Sequence, residues 1–184
     1  MKMMIASDIH GSAYYCDLLL RAFGAEKADR LLLLGDILYH GPRNDLPRDY
    51  KPKKVIGLLS AVKERIFCVR GNCDTEVDQM VLPFPILADY AVIPLGNQLI
   101  YATHGHIWHP DNPPPLLPGD ILLHGHTHVA ACRTFGKNNA FTYWNPGSVS
   151  IPKEDSPHSY MLLDTDCPAD AVWKNLETGA VFRP

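Results

Sequence analysis

Short apolar runs alternate with polar turn clusters through the first half of the chain. Residues 3–6, Met-Met-Ile-Ala, read as a buried strand ending at Ser7 and Asp8. Ser12 can cap a helix reaching about Phe23, with Leu18, Leu19, Ala22 and Phe23 on one face. Residues 31–34, four leucines, make the second buried run and stop at Gly35-Asp36. A loop with Gly41-Pro42 and Pro47 follows, and Pro52 then suits the first turn of a helix through about Val62. Residues 66–69 are the third apolar run. This βαβαβ order predicts a largely parallel sheet with right-handed crossovers.

The second half reads differently. Candidate strands fall at 88–93, 98–103, 121–123, 140–144, 160–164 and 171–175, and residues 176–178 with Gly179 suit a terminal hairpin turn. Helical periodicity is scarce here, so a second, mixed or antiparallel sheet is expected. Two sheets packed face to face and flanked by helices is the economical α/β architecture. No repeat or internal boundary divides the chain, so residues 1–184 read as a single domain.

Composition narrows the function classes. The chain is 46% hydrophobic and 20% charged with a formal net charge of −3, which argues against the basic footprint of a nucleic-acid-backbone binder. The opening apolar run is too short for a signal peptide or membrane span, so a cytoplasmic location is expected. Five cysteines lie scattered without a CxxC pair, the pattern of reduced thiols and not of a disulfide framework or zinc-thiolate cluster. The Pro113-Pro114-Pro115 run marks a stiff loop. Six of the nine histidines lie between positions 104 and 128.

Those histidines belong to a larger pattern. The apolar strands end in Asp8-Ile9-His10, Gly35-Asp36, Gly71-Asn72-Cys73-Asp74, His104-Gly105-His106 and Gly125-His126-Thr127-His128. Carboxyl ends of strands form the ligand crevice of open α/β sheets. Asp8 and His10 are two apart, so an extended segment projects them to one side, and His126 and His128 repeat the spacing. Carboxylates, imidazoles and a carboxamide oxygen suit Mn, Fe, Zn or Ni.

This ordered set resembles the calcineurin-like metallophosphoesterase superfamily, across residues 8 to 128. The short length, the Gly71-Asn72-Cys73-Asp74 form and Asn145-Pro146-Gly147-Ser148 look like its small phosphodiesterases of the YfcE type. The resemblance implies a four-layer α/β/β/α sandwich of two mixed sheets. It implies two divalent metal ions, with manganese favoured over zinc, iron or nickel. One ion would take Asp8, His10, Asp36 and His128, the other Asp36, Asn72, His104 and His126. Asp36 would bridge them, and a hydroxide between the metals would attack a phosphodiester, leaving no protein nucleophile to find.

In many members of the superfamily a histidine general acid stands where this chain has Cys73. A thiol is a weak donor, so activated aryl diesters are expected to be cleaved best and monoesters weakly. Asp74 is a candidate partner for a neighbouring ligand or a helix cap. His40 and Arg43, on the loop after Asp36, and Ser148 are candidate substrate contacts, and Arg70 a brace for the crevice. His106 and His109 suit the rim, His124 is expected to face away from His126, and His158 to be solvated. Rival readings are a metal-binding protein-interaction scaffold of the same fold, as in the retromer subunit, or a phosphatase or nucleotide hydrolase of the superfamily. The sequence leaves homo-oligomerisation open.

Overall fold

In the computed structural model the chain runs β1 (Lys2–Ala6), α1 (Ala13–Ala25), β2 (Arg30–Leu33), α2 (Pro52–Ser60), β3 (Ile66–Cys68) and α3 (Glu76–Val81). Strands follow: β4 (Tyr90–Leu95), β5 (Gln98–Thr103), β6 (Ile121–Leu123), β7 (Ala130–Phe135), β8 (Phe141–Pro146), β9 (Ser159–Asp164), β10 (Cys167–Asn175) and β11 (Val181–Phe182). The structure describes residues 1–184, the side chains of 168–170 excepted.

The three apolar runs of the first half form the parallel ladder β1-β2-β3. Antiparallel β9, β10 and β11 extend it beyond β1, giving the order β11-β10-β9-β1-β2-β3. The second sheet is β4-β5-β6-β8-β7, also mixed. Strand alternation sorts the core into two layers. Met4, Ala6, Leu31 and Leu33 face α1 and α2, where Leu19, Phe23, Val55 and Leu59 meet them. Met3, Ile5, Leu32 and Leu34 face the other sheet, against Ile100, Ala102, Ile121, Leu123 and Trp144. Burial on both faces explains why the central strands read as unbroken apolar runs.

The two mixed sheets and their flanking helices agree with the expected architecture. The outer face of the smaller sheet, carrying Tyr143 and Arg133, is flanked by the irregular segment after β5 and by no α-helix among the described residues.

Local chemistry sets the boundaries. Ser12 caps α1, its hydroxyl accepting from Tyr15 N at 3.3 Å, and Pro52 opens α2. β4 starts at Tyr90, two residues past its expected start. Two elements escaped the sequence reading. α3 has no apolar stripe; a reciprocal capping box between Thr75 and Asp78 makes it. β7, Ala-Ala-Cys-Arg-Thr-Phe, has too few large apolar residues to show alternation, and its pairing with β8 along its whole length holds it. His158 is not solvated as expected. Its ring stacks on Tyr15 at 3.9 Å and its Nδ1 lies 2.9 Å from Val149 O.

Glu26, just past α1, joins the helix layer to the large sheet. Its carboxylate accepts from Lys174, from Tyr160 Oη at 3.1 Å and from Lys2 Nζ at 3.3 Å. Burial raises its pKa, but the bonds from Lys174, Tyr160 and Lys2 outweigh that and leave it lowered. A depressed carboxyl adds stability that is present above the unfolded pKa of about 4.3 and lost as pH falls through the folded value. Glu26→Gln should therefore lower stability by about 0.5–1 kcal/mol at neutral pH. Urea unfolding across pH should show the gap to wild type closing below about pH 4.

Candidate metal centre

All seven ligand candidates converge on one cleft at the carboxyl ends of β1, β2, β3, β5 and β6. Asp8 is fully buried, and its Oδ1 lies 3.5 Å from His10 Nε2 and 3.2 Å from His128 Nε2. Asp36 Oδ2 lies 3.7 Å from His10 Nε2 and 3.4 Å from His104 Nε2, so it sits between two groups of donors. On the far side His104 Nε2 is 3.1 Å from both Asn72 Oδ1 and His126 Nδ1.

Three imidazoles are oriented by backbone carbonyls. Nδ1 of His10 donates to Tyr39 O at 2.7 Å, that of His104 to Leu34 O at 2.7 Å, and that of His128 to Ile151 O at 2.6 Å. A ring that donates through Nδ1 turns its Nε2 lone pair inward when neutral, the usual state of a metal-ligating histidine. His10 Nε2 and His128 Nε2 then face each other at 3.2 Å with lone pairs between them. Asp8 Oδ1 beside them has no hydrogen-bond partner. With both rings neutral this cluster lacks the hydrogens to satisfy itself. Burial lowers the His10 pKa, but Asp8 outweighs that and leaves it raised, so a proton or a divalent cation would supply the missing positive charge. The donor set therefore fits divalent metal ions.

The turns carrying these side chains are strained. Asp8, His10, Asp36, His126 and His128 all have φ between 48° and 66°, in the left-handed region. Gly125 has to be glycine because a Cβ there would come within 1.9 Å of Ser7 Oγ and 2.8 Å of Asp8 Oδ2. Gly71 is equally constrained, its absent Cβ 2.1 Å from Asp36 Oδ1.

Asp74 is neither a side-chain orienter nor a helix cap. Its buried carboxylate accepts three backbone amides, Asp36 N at 2.8 Å, Ile37 N at 2.9 Å and Gly71 N at 2.8 Å. Burial raises its pKa above the usual carboxylate range, against the pull of those amides. Asp36 Oδ1 returns the contact by accepting Cys73 N at 2.8 Å. Arg70 does brace the turn, through Nε to Asp74 O at 3.2 Å.

Cys73 turns its sulfur into the cleft, with the donor atoms of His10, Asp36 and Cys73 all within 4.8 Å of one another. Burial pushes its thiol pKa up, and the carboxylates of Asp36, Asp74 and Asp8 push it further. For Asp8, burial raises the pKa, but His10 and His128 beside it bring it well below the usual carboxylate range. Asp36 is lowered too, His104 overcoming the effect of burial. Burial lowers the pKa of His104, but Asp36 dominates and raises it to about 9. For His126 burial and the charge on His104 act together and lower the value to about 4.

The outer candidates separate. Arg43 lines the metal cleft, but His40 packs edge-on between Tyr39 and Tyr50 and is not among the lining residues. Ser148 is fully buried; its hydroxyl donates to Asp8 O at 3.0 Å, so it supports a strained turn and offers nothing to a substrate. Lys153 also lines the cleft and carries no sequence signal of that role. No motif marks it; it arrives because its backbone N donates to His128 O at 3.1 Å. His106 and His109 flank a neighbouring groove, and His124 is buried against Tyr143, ring centroids 4.4 Å apart.

Comparison with known proteins agrees with the geometry. Residues 1–167 match the calcineurin-like phosphoesterase superfamily domain. Phosphodiesterase YfcE of Escherichia coli strain K12 is 48% identical over 166 residues, covering 90% of this chain and 89% of that protein. The solved structure of YfcE, a phosphoesterase from E. coli, superposes with a TM-score of 0.90 at 44% identity, covering 99% of this chain and 97% of that one. Vacuolar protein sorting 29 from Cryptosporidium parvum superposes with a TM-score of 0.59 at 19% identity, over 98% and 94% of the two chains, a likeness of fold alone.

Two outcomes are expected of this site. Asp74→Ala strands three buried amides, and urea unfolding should show a loss of about 3 kcal/mol. The raised His104 pKa favours the folded state below about pH 6.5, an advantage lost as pH rises through about 9. A metal must displace that proton. Calorimetric titration of the metal-free protein with Mn²⁺ near pH 7.5, in buffers of different ionisation enthalpy, should show release of about one proton per chain.

Proposed function

The chain belongs to the calcineurin-like phosphoesterase superfamily, and on that footing we propose that it is a metal-dependent phosphodiesterase acting through a two-metal centre. One observation carries this reading: seven donors meet in one cleft with three imidazoles locked to carbonyls so that their lone pairs point inward. Asp8, His10, Asp36 and His128 would hold one divalent ion, and Asp36, Asn72, His104 and His126 the other. Two such ions would acidify a water and neutralise charge on the phosphoryl oxygens. Manganese is the favoured occupant; zinc, iron(II) and nickel(II) suit the same donors.

The chain's own residues then set the substrate. Arg43 and Lys153 both line the cleft, where they can hold the free oxygens of a phosphodiester. Cys73 stands beside Asp36 as a thiol whose surroundings oppose its ionisation. It is a weak donor, so a departing oxygen receives little help from it. Aryl oxides leave without a proton and alkoxides do not. The reading is therefore a hydrolase best on aryl diesters, weak on alkyl diesters and monoesters. The YfcE of E. coli, named a phosphodiesterase, supports the same class. A binding scaffold is the weaker reading, because the relative 48% identical to this chain is named a phosphodiesterase, whereas the likeness to vacuolar protein sorting 29 is one of fold alone.

Five free cysteines suit a reducing compartment, which favours the cytoplasm. No helix among the described residues is long and apolar enough to cross a membrane.

The test is a panel of bis(4-nitrophenyl) phosphate, an alkyl diester and 4-nitrophenyl phosphate, assayed with Mn²⁺ and after chelation. Activity should fall away on chelation and run aryl diester first. Cys73→His should raise the rate on the alkyl diester by about 10²-fold, with a smaller effect on the aryl ester. A uniform change across the panel would refute the role given to Cys73.

A further inference from the structure

A second cavity, about 740 Å³, lies on the outer face of the smaller sheet. It shares a wall with the metal cleft, since His126 and Thr127 line both. Its floor is the β7–β8 hairpin. Arg133 pairs with Tyr143 and Phe135 with Phe141, and residues 133 and 135 are two apart, so Arg133, Phe135 and Tyr143 stand on one face. His106, His109 and Asp111 of the segment after β5 also line it, as does Glu154.

The lining is mixed in a specific way. Phe135, half-buried, offers aromatic surface, while Tyr143 is buried with its ring stacked on His124. Arg133 and Glu154 form no ion pair among the described residues and so remain as donor and acceptor. His124, buried against Tyr143, keeps an Nε2 without a hydrogen-bond partner. That nitrogen is buried and out of a ligand's reach; Arg133 and Glu154 are exposed, and an aliphatic or lipid arm would leave them facing hydrocarbon. A flat heteroaromatic ring with donors and acceptors on its edge would use both kinds of surface.

We propose that this groove receives a nucleoside arm of the phosphodiester substrate, with its base against Phe135 and its polar edge toward Arg133 and Glu154, while the phosphate lies past His126 in the metal cleft. The inference rests on the phosphodiesterase reading, and it assigns the groove to the group that is not expelled.

Two substrates with the same leaving group test it on the metal-loaded protein. A nucleoside 5′-(4-nitrophenyl) phosphate and methyl 4-nitrophenyl phosphate differ only in the retained arm. In each, water's oxygen bonds to phosphorus, the bond to the aryl oxygen breaks, 4-nitrophenolate leaves and the proton passes to solvent. The nucleoside ester should show a KM about tenfold or more below that of the methyl ester, from base stacking. Arg133→Ala and Phe135→Ala should each raise that KM about fivefold to tenfold, with kcat held and the methyl ester unaffected. Equal KM values in the wild type, or variants that change both esters alike, would overturn the inference. Calorimetric binding of a nucleoside 5′-monophosphate against methyl phosphate reads the groove without turnover. Tighter nucleotide binding that Phe135→Ala abolishes supports the groove even where no diester is cleaved, and equal binding refutes it. Absence of any diester cleavage instead counts against the phosphodiesterase reading alone.

Discussion

Two carboxylates on neighbouring strand ends hold each other's turns, and the site depends on that clasp. Asp74 takes the amides of Asp36, Ile37 and Gly71, and Asp36 takes the amide of Cys73. The ladder between β2 and β3 ends at Leu33 and Cys68; beyond it, the two chains are joined by these side chains instead. Hydrogen bonds to a buried carboxylate are each worth about 1.5–3 kcal/mol. The clasp uses Oδ1 of Asp36 and thereby leaves Oδ2 between His10 and His104. A carboxylate free to rotate would not divide its oxygens in this way.

The same turns are where the fold departs from relaxed backbone. Five of the seven candidate ligands have positive φ. At about 1–2 kcal/mol each, their strain together rivals the whole stability of a typical domain. It persists because other bonds over-determine these residues. Asp8 N donates to Gly35 O at 3.1 Å and His10 N to Asp36 O at 2.9 Å, so the first two strand-end turns form a continuous ladder of their own. Behind Asp8, the hydroxyls of Ser148 and Ser150 both donate to its carbonyl at 3.0 Å. That is the use of the serine in the Asn145-Pro146-Gly147-Ser148 segment: it supports a strained ligand and does not meet the substrate.

What could be read from the sequence follows from which signals are local. Buried parallel strands announce themselves as apolar runs, and strand-end motifs such as Asp8-x-His10 carry their chemistry within three residues. Hence the two sheets and the converging ligand set were legible. Groups whose role depends on long-range contact were not. Asp74 reads in sequence as a partner for a neighbouring ligand or as a helix cap, because Asp36, whose amide it takes, lies 38 residues away. Lys153 reaches the cleft only through a backbone bond to His128. β7 exists because β8 offers it an edge, and its small residues gave no pattern of their own. The Thr75–Asp78 pair that makes α3 was present in the sequence and was detectable as a capping signal.

The charge of the site bears on why a phosphate ester belongs there. Asp8 and Asp36 are the carboxylates among the seven donors, and both stay ionised because imidazoles beside them outweigh burial. In the metal-free chain His104, raised to about 9, supplies a compensating proton. Two divalent cations, as proposed, would replace that proton and exceed the two carboxylate charges, and the loaded cleft would be positive in a low-dielectric setting where charge matters most. Attraction of an anion then needs no further cation. On the proposed reading, Arg43 and Lys153 would orient a phosphate more than attract one, and specificity would come from whatever lies beside the cleft. On one side that is a thiol in place of an acid, and on the other a groove that opens past His126.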